Sequence, residues 1–382
     1  MIEKLMPRNK IGIDKMNLFN LPVTHIDFDV LLAHPREKVK IFYNQNEYYL
    51  ETPDGTKISY LKIKDNQIFN EFIVWVDARR REHQMLSFSA TNLYTMNLSN
   101  LSTEEVKNHL VNIRFYLLSK YGITLDINKV QIKLLELNCT FSLLGNFSEY
   151  HRVLKLLMHL VPLAHSNLQL YLGENKKDYI LNLETILKKN KSMEIIIYDK
   201  SAQLYNKKGI KTGTNLMRIE IRLLTSRKIT KAFENNQLKH LTDEAIARYF
   251  MRQFSQKFNL IYERWMKKNQ RELRRLITEC KKNAPIHWQT NFLESCRNCE
   301  QCNNLPLLLD IDHLFLLIRA EKDKNRNTSR TIKEFRNKMK RRENDCFSKK
   351  DAKKVEEIFR AVKNAYEETV DIISTDADAN HR

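Results

Sequence analysis

Glycine and proline are both scarce, at seven residues each in a chain of 382. Together they make up about 4% of the chain, against an average nearer 12%. That excludes collagen-like and linker-like chains and argues against a propeller or a many-looped sandwich. Cysteine is also sparse, with six residues. Over this length that is no disulfide framework, and a reducing cytoplasmic setting is expected. Long apolar runs are missing. The longest, Leu305–Ile318, is interrupted by Asp310, Asp312 and His313, and it falls short of the roughly 20 residues of a spanning helix. The first ten residues, MIEKLMPRNK, hold no apolar stretch of the kind a secretory leader needs. Neither membrane insertion nor secretion is expected.

Acidic residues are outnumbered. Lys plus Arg is 65 against 46 Asp plus Glu, a formal charge of +19. Such a surface concentrates polyanions. Nucleic acid is the first expected partner, and an anionic membrane surface is second, although no strong amphipathic terminal helix supports it. Charge kept only for solubility is the plain alternative. Hydrophobic residues make up 42%, enough for a packed core and against wholesale disorder. The length suggests two or three domains.

The first half reads as short strands between helices. Ile26, Phe28, Val30 and Leu32 alternate as in a half-buried strand. The turn Pro53–Gly55 precedes alternating Ile58 and Tyr60, and Ile73–Val76 and Leu86–Ala90 are further strand candidates. Ser102 and Glu105 form a capping box, with Leu101 and Val106 as a hydrophobic staple and Gly122 as the stop of the helix between. Val130–Phe141 returns to strand character. A helix from Asn146 to about Leu160 follows, then strands at Glu194–Lys200 and Leu216–Leu224. The polar stretch between these last two, with Gly209 and Gly213, is expected to be a loop. The predicted fold is α+β with a mainly antiparallel sheet. The expected division is a lead-in over 1–19, an α+β domain over 20–228, a basic helical domain over 240–373 and a flexible tail over 374–382.

The two late strands carry the most chemistry. Side chains alternate faces along a strand, so Glu194, Ile196, Tyr198 and Lys200 share one face. Arg218, Glu220 and Arg222 share a face of the second strand, opposite Met217, Ile219, Ile221 and Leu223. If the strands pair, a phenol, a carboxylate and several cations meet, which is the inventory for phosphodiester transesterification. A solvated charged face with cross-strand ion pairs fits the same pattern. Glu136 and Asn138 lie on one face of Val130–Phe141, and Glu136 is a candidate second carboxylate for Mg²⁺ or Mn²⁺, or a plain surface residue.

Two further features stand out. Cys296, Cys299 and Cys302 are spaced for Zn²⁺, with Cys280, His287 or Cys346 as a candidate fourth ligand; free thiols in a connecting loop are the alternative. Cys139 reads as core. The segments 244–282 and 319–350 carry net charges of +7 and +8. Phe250, Phe254, Phe258 and Tyr262 or Trp265 are spaced to bury one helix face. Arg248, Arg252, Lys267, Lys268, Arg271, Arg274 and Arg275 remain to meet phosphates, or simply to be solvated.

Four motifs in order carry a resemblance: FSATNLYTMNLSNLS at Phe88–Ser102, then LLELNCTF, IIIYDKSAQL and LMRIEIRL. Over about residues 20–225 this resembles phage and plasmid rolling-circle replication initiators of the gene II/X-like, replication-initiation-factor group. The resemblance implies metal-dependent, site-specific nicking of an origin strand by a tyrosine, leaving a 5′-phosphotyrosine and a free 3′-hydroxyl that primes synthesis. It places Tyr198, Asp199 and Lys200 on the family's Y-D-K and Arg218, Glu220 and Arg222 on its R-x-E-x-R. Tyr198 is then the expected nucleophile, Glu220 and Glu136 the metal ligands, and Lys200 and Arg218 the phosphate clamps. Tyr205, seven residues on, is a rival nucleophile. No two of the 11 histidines have His-hydrophobe-His spacing, which leaves metal binding to carboxylates. The expected partners are origin DNA, single- and double-stranded, and host helicase or replication machinery. A non-catalytic DNA-binding regulator is the competing expectation, in which the same charged faces are plain surface.

Overall fold

The computed structural model describes residues 10–295, except 36, 78, 81–83, 94–99, 161–162, 176–179, 289 and 293–294, together with residues 349–379. The first strands are β1 (Gly12–Phe19) and β2 (Val23–Ile26), followed by the short helix α1 (Phe28–Leu32). Strands β3 (Val39–Phe42), β4 (Leu50–Glu51), β5 (Lys57–Ile58), β6 (Tyr60–Asp65), β7 (Phe69–Trp75) and β8 (Met85–Ser89) come next. Helix α2 (Thr103–Tyr121), β9 (Ile123–Leu125), β10 (Gln131–Leu143) and α3 (His151–Leu160) follow. Then come β11 (Asn167–Asn175), β12 (Ile180–Lys189), β13 (Met193–Asp199), α4 (Lys200–Lys208) and β14 (Asn215–Leu223). The described helices beyond are α5 (Ser226–Phe233), α6 (Asp243–Met251), α7 (Lys257–Asn283) and α8 (Lys349–Ala379).

Ten of these strands form one antiparallel sheet in the order β11-β12-β13-β14-β10-β1-β8-β7-β6-β3. Its two faces are chemically distinct because the alternation of residue types is so regular. Leu135, Leu137 and Cys139 of β10, Ile219 and Ile221 of β14 and Ile195 and Ile197 of β13 are buried on one face. Helices α3, α5, α6 and α8 pack on that side. The opposite face carries the polar alternates.

Helix α2 is set as its capping signals predict. The Glu105 amide donates to Ser102 Oγ at 3.1 Å and the Ser102 amide to Glu105 Oε2 at 2.7 Å. Gly122 ends the helix at φ 65°, a left-handed conformation that disfavours any side chain. A Cβ there would also lie 2.6 Å from Asp27 Cβ.

Several expectations change. Residues 12–19, left as a lead-in by the sequence, form β1 in the middle of the sheet. The Phe28–Leu32 segment is helical: the Val30 amide donates to Asp27 Oδ1 at 3.2 Å, and this cap turns the chain before a strand can extend. The first part of the polar stretch after β13 is the helix α4, capped by Asp199 and stopped by Gly209 at φ 67°; residues 209–214 form the expected loop. Lys200 and Leu204, four residues apart, give the helix a buried side. Lys200 therefore opens a helix and does not continue the β13 face.

The helices expected as a separate C-terminal domain share the sheet's core. Ile246 and Phe250 of α6, Phe254, and Val355, Ile358 and Val362 of α8 are buried in one cluster with Leu137 and Ile219. Thr369 Oγ1 accepts from the Ile11 amide at 3.0 Å, and Tyr150 donates to Glu357 Oε2 at 2.7 Å. Residues 374–379, expected in the flexible tail over 374–382, continue α8; Cys296, Cys299, Cys302 and Cys346, the segment 319–348 and residues 380–382 lie outside the described residues.

Candidate active site on the polar face

Strand register brings the charged residues together. In β10 and β14, Glu136 faces Arg222, Asn138 faces Glu220 and Thr140 faces Arg218. In β13 and β14, Glu194 faces Arg222, Ile196 faces Glu220 and Tyr198 faces Arg218. The expected pairing of the two late strands is therefore present.

A residue the sequence reading missed completes the group. Between Ile13, opposite Leu137, and Lys15, opposite Glu136, the β1 ladder shifts register. Asp14 is the extra residue, and the bulge turns its side chain to the polar face. The carboxylates of Asp14, Glu136 and Glu220 lie close enough for oxygens from all three to fall within 4.8 Å of one another. The signal was in the sequence. Buried Ile11 and Ile13 are two apart, Ile13 and Met16 three apart, Met16 and Leu18 two apart. One added residue in a period of two marks a bulge.

Two arginines balance this acidity. Arg222 Nη2 lies 2.9 Å from Glu220 Oε2, Nη1 3.4 Å from Glu194 Oε2, and Nε 3.4 Å from Glu136 Oε2. Arg218 is fully buried; its Nε donates to Thr140 Oγ1 at 2.7 Å and its Nη1 lies 3.4 Å from Asp14 Oδ1. Arg222 keeps a side chain 31% exposed, so it is the cation of this pair that meets solvent.

Tyr198 donates to Glu220 Oε1 at 2.7 Å. It is 6% exposed. Burial holds its phenol well above the ordinary range, with Arg218 opposing and Glu220 adding to the shift. Lys200 is buried; its Nζ donates to Gln203 Oε1 at 2.8 Å and lies 5.8 Å from the Tyr198 ring centroid. Burial lowers its ammonium to about 7, helped by Arg218 and opposed by Asp14 and Glu220. Burial raises Glu136 to about 7, with Arg222 opposing and Glu220 contributing. Burial raises Asp14 too, against the pull of Arg218. These carboxylates are costly to ionise as they stand.

The residues fit a hard divalent cation. Three carboxylates converge, which suits oxygen-seeking ions. Asn138, fully buried between Glu136 and Thr140 on the same face, has neither Oδ1 nor Nδ2 hydrogen-bonded among the described residues. An amide oxygen of that kind is a further ligand of the same hard type.

The other candidates sit elsewhere. Tyr205 is 55% exposed on α4 and lines an open cavity of about 440 Å³ with Asp199, Ser201, Lys211 and Thr212. Lys267, Arg271, Arg274 and Arg275 are exposed along α7. Arg275 pairs with Glu279 one turn on. The side chain of Lys268 lies outside the described residues. Phe250 and Phe254 are buried as their spacing predicts.

No family model matches the chain, and no curated protein matches it. Among solved structures, that of a rolling circle replication initiator protein from Geobacillus stearothermophilus aligns with 58% of this chain and 77% of its own, at 14% identity and a TM-score of 0.32. No helix among the described residues is long and apolar enough to cross a membrane.

Proposed function

We propose that the polar face is a nuclease-type active site that nicks a DNA strand through Tyr198. The observation that carries this reading is the 2.7 Å hydrogen bond from the Tyr198 phenol to Glu220, within a group of three carboxylates. In the proposed step Tyr198 Oη attacks a backbone phosphorus. Its proton passes to the Glu220 carboxylate that already accepts it. The new bond is a 5′-phosphotyrosine; the bond that breaks frees the 3′-oxygen, which takes a proton from solvent and leaves as a 3′-hydroxyl.

Asp14, Glu136 and Glu220, with Asn138, would hold Mg²⁺ or Mn²⁺. Such an ion would draw charge from the phosphoryl oxygens. Arg222, the cation at the solvent edge of the cluster, would meet the phosphate in exchange for one of its carboxylate partners. Arg218 and Lys200 are buried beneath it, so their proposed work is to hold Asp14 and to set the charge around Tyr198. Exposed cations of α7 would hold flanking duplex by its phosphates.

One observation favours a second reading, a DNA-binding regulator without catalysis: Tyr198 is only 6% exposed, and its phenol is hard to ionise. The deciding experiment incubates the protein with a supercoiled plasmid bearing the origin of its own genetic element, with Mg²⁺ or Mn²⁺. Nicking with a denaturation-resistant protein–DNA adduct supports catalysis. Binding without either supports the regulator.

A further inference from the structure

Arg222 stands between two carboxylates in a single register row. Glu194 of β13, Arg222 of β14, Glu136 of β10 and Lys15 of β1 lie side by side across four neighbouring strands. The converging carboxylates lie on one side of Arg222 or on its own strand: Asp14 on β1, Glu136 on β10 and Glu220 two residues back along β14. Glu194 lies on the other side and is not a member of that group. The guanidinium thus has two partners within the proposed metal site and one outside it.

These contacts differ in kind. Nη2 donates to Glu220 Oε2 at 2.9 Å and Nη1 to Glu194 Oε2 at 3.4 Å. Nε is 3.4 Å from Glu136 Oε2 but makes no hydrogen bond among the described residues. Glu220 Oε1 accepts from Tyr198, so both oxygens of Glu220 are engaged. An ion held by Glu136 and Glu220 needs oxygens that the guanidinium now faces. A guanidinium left in place would set like charges side by side. Arg222 has a partner to fall back on, and the Tyr198 contact need not break. The Glu194 side chain is 18% exposed, against 8% for Glu136 and 3% for Glu220. A shift onto Glu194 therefore carries the guanidinium toward solvent.

We propose that Arg222 is a resident counter-ion of the acidic group, displaced when a divalent cation binds, and that Glu194 is the positioning residue that receives it. With the ion absent, the guanidinium offsets the charge of Glu136 and Glu220. With the ion bound, it releases both and stays on Glu194 at the solvent edge. One cation replaces another, so the buried carboxylates are not left uncompensated in either state. The hydrogen bond from Tyr198 to Glu220 persists through the exchange. The inference rests on the proposed function only for a divalent cation at this group, and it needs no nicking.

The test is a double-mutant cycle on Mn²⁺ affinity, read from the electron paramagnetic resonance of free Mn²⁺ with the full chain and no DNA. Arg222→Gln should bind Mn²⁺ about tenfold or more tightly, because nothing has to be displaced. Glu194→Gln should bind it about fivefold or more weakly, because the displaced guanidinium has no acceptor. In the Arg222→Gln background, Glu194→Gln should change the affinity by less than about twofold. If Glu194 only adds negative charge, or ligates the ion itself, its loss weakens binding equally in both backgrounds, and that result overturns the proposal. So does an Arg222→Gln variant that binds no more tightly than the parent, or a parent that binds no Mn²⁺. If Arg222→Gln does not fold, by far-UV circular dichroism, Arg222→Met takes its place, since it keeps the packed stem. Glu194→Gln alone also decides: unchanged Mn²⁺ affinity overturns the proposal. Adduct formation by the parent is scored separately. The expected cycle without an adduct keeps the displacement and removes the nicking; an adduct with an additive cycle removes the displacement alone.

Discussion

Tyr198 reaches Glu220 on the diagonal. Its direct cross-strand partner is Arg218, yet its hydroxyl bonds at 2.7 Å to the carboxylate two residues further along β14. Diagonal neighbours on one sheet face are about 7–8 Å apart at the backbone, within reach of a tyrosine. The pairing register, more than either residue alone, makes the phenol–carboxylate contact.

The first prediction concerns the two tyrosines. Tyr198→Phe should abolish the covalent adduct and leave DNA affinity within about twofold, since only a hydroxyl is lost from a shared face. Tyr205→Phe should form the adduct at the parent's rate. An adduct that survives Tyr198→Phe but not Tyr205→Phe would move the nucleophile to α4.

Asp14→Asn should weaken Mn²⁺ binding about tenfold or more, measured by electron paramagnetic resonance of free Mn²⁺, because one of three anionic ligands becomes neutral. Far-UV circular dichroism should show an intact sheet. Parent-like affinity would remove Asp14 from the ion's ligands.

Glu136 predicts a pH dependence. Its carboxyl sits at about 7 in the fold, against 4.5 for the ordinary group. A raised folded value means that the full stability contribution is present below about 4.5 and is lost as pH rises through about 7. Glu136→Gln has no such loss. In metal-free buffer the variant should gain on the parent between these pH values, by about 3 kcal/mol at most, and the gap should stay flat above. Urea midpoints across the range would check it; a gap that does not change with pH would contradict it.

The exposed face of α7 predicts a salt effect. Each phosphate contact contributes a slope of about −0.9 to the dependence of log affinity on log salt. Replacing Lys267, Lys268, Arg271, Arg274 and Arg275 by Gln should flatten the slope by several units for every duplex sequence. Sequence preference should fall less, because phosphates carry no base information. An unchanged slope would place the duplex contact elsewhere.

Regular alternation made β10, β13 and β14 legible, and with them Glu136, Tyr198, Arg218, Glu220 and Arg222 on one face. Capping chemistry did the same for α2. What failed was local and physical. Asp14 was hidden because a bulge breaks the period from which faces are read. The sequence predicts a loop where α4 stands because the buried side of that helix is only Lys200 and Leu204, one of them charged. The β11–β12 hairpin went unread, although its register is regular apart from one shift. The helices after 240 looked independent because their composition is so basic, yet their apolar stripes close the core over the sheet.

The bulge in β1 has a consequence for how this chain tolerates change. Deleting residue 14 would remove the register shift between Ile13 and Lys15, leaving these two in simple alternation and only the shift between Asn17 and Leu18 in the β1–β10 ladder. Backbone pairing would improve, and the core residues on either side would keep their faces, since Ile13, Lys15 and Met16 already oppose Leu137, Glu136 and Leu135 in turn. The acidic group would lose a member without any side chain being replaced. In this protein an insertion of a single residue, and not a substitution, is what separates a well-paired sheet from one that gathers three carboxylates at a point.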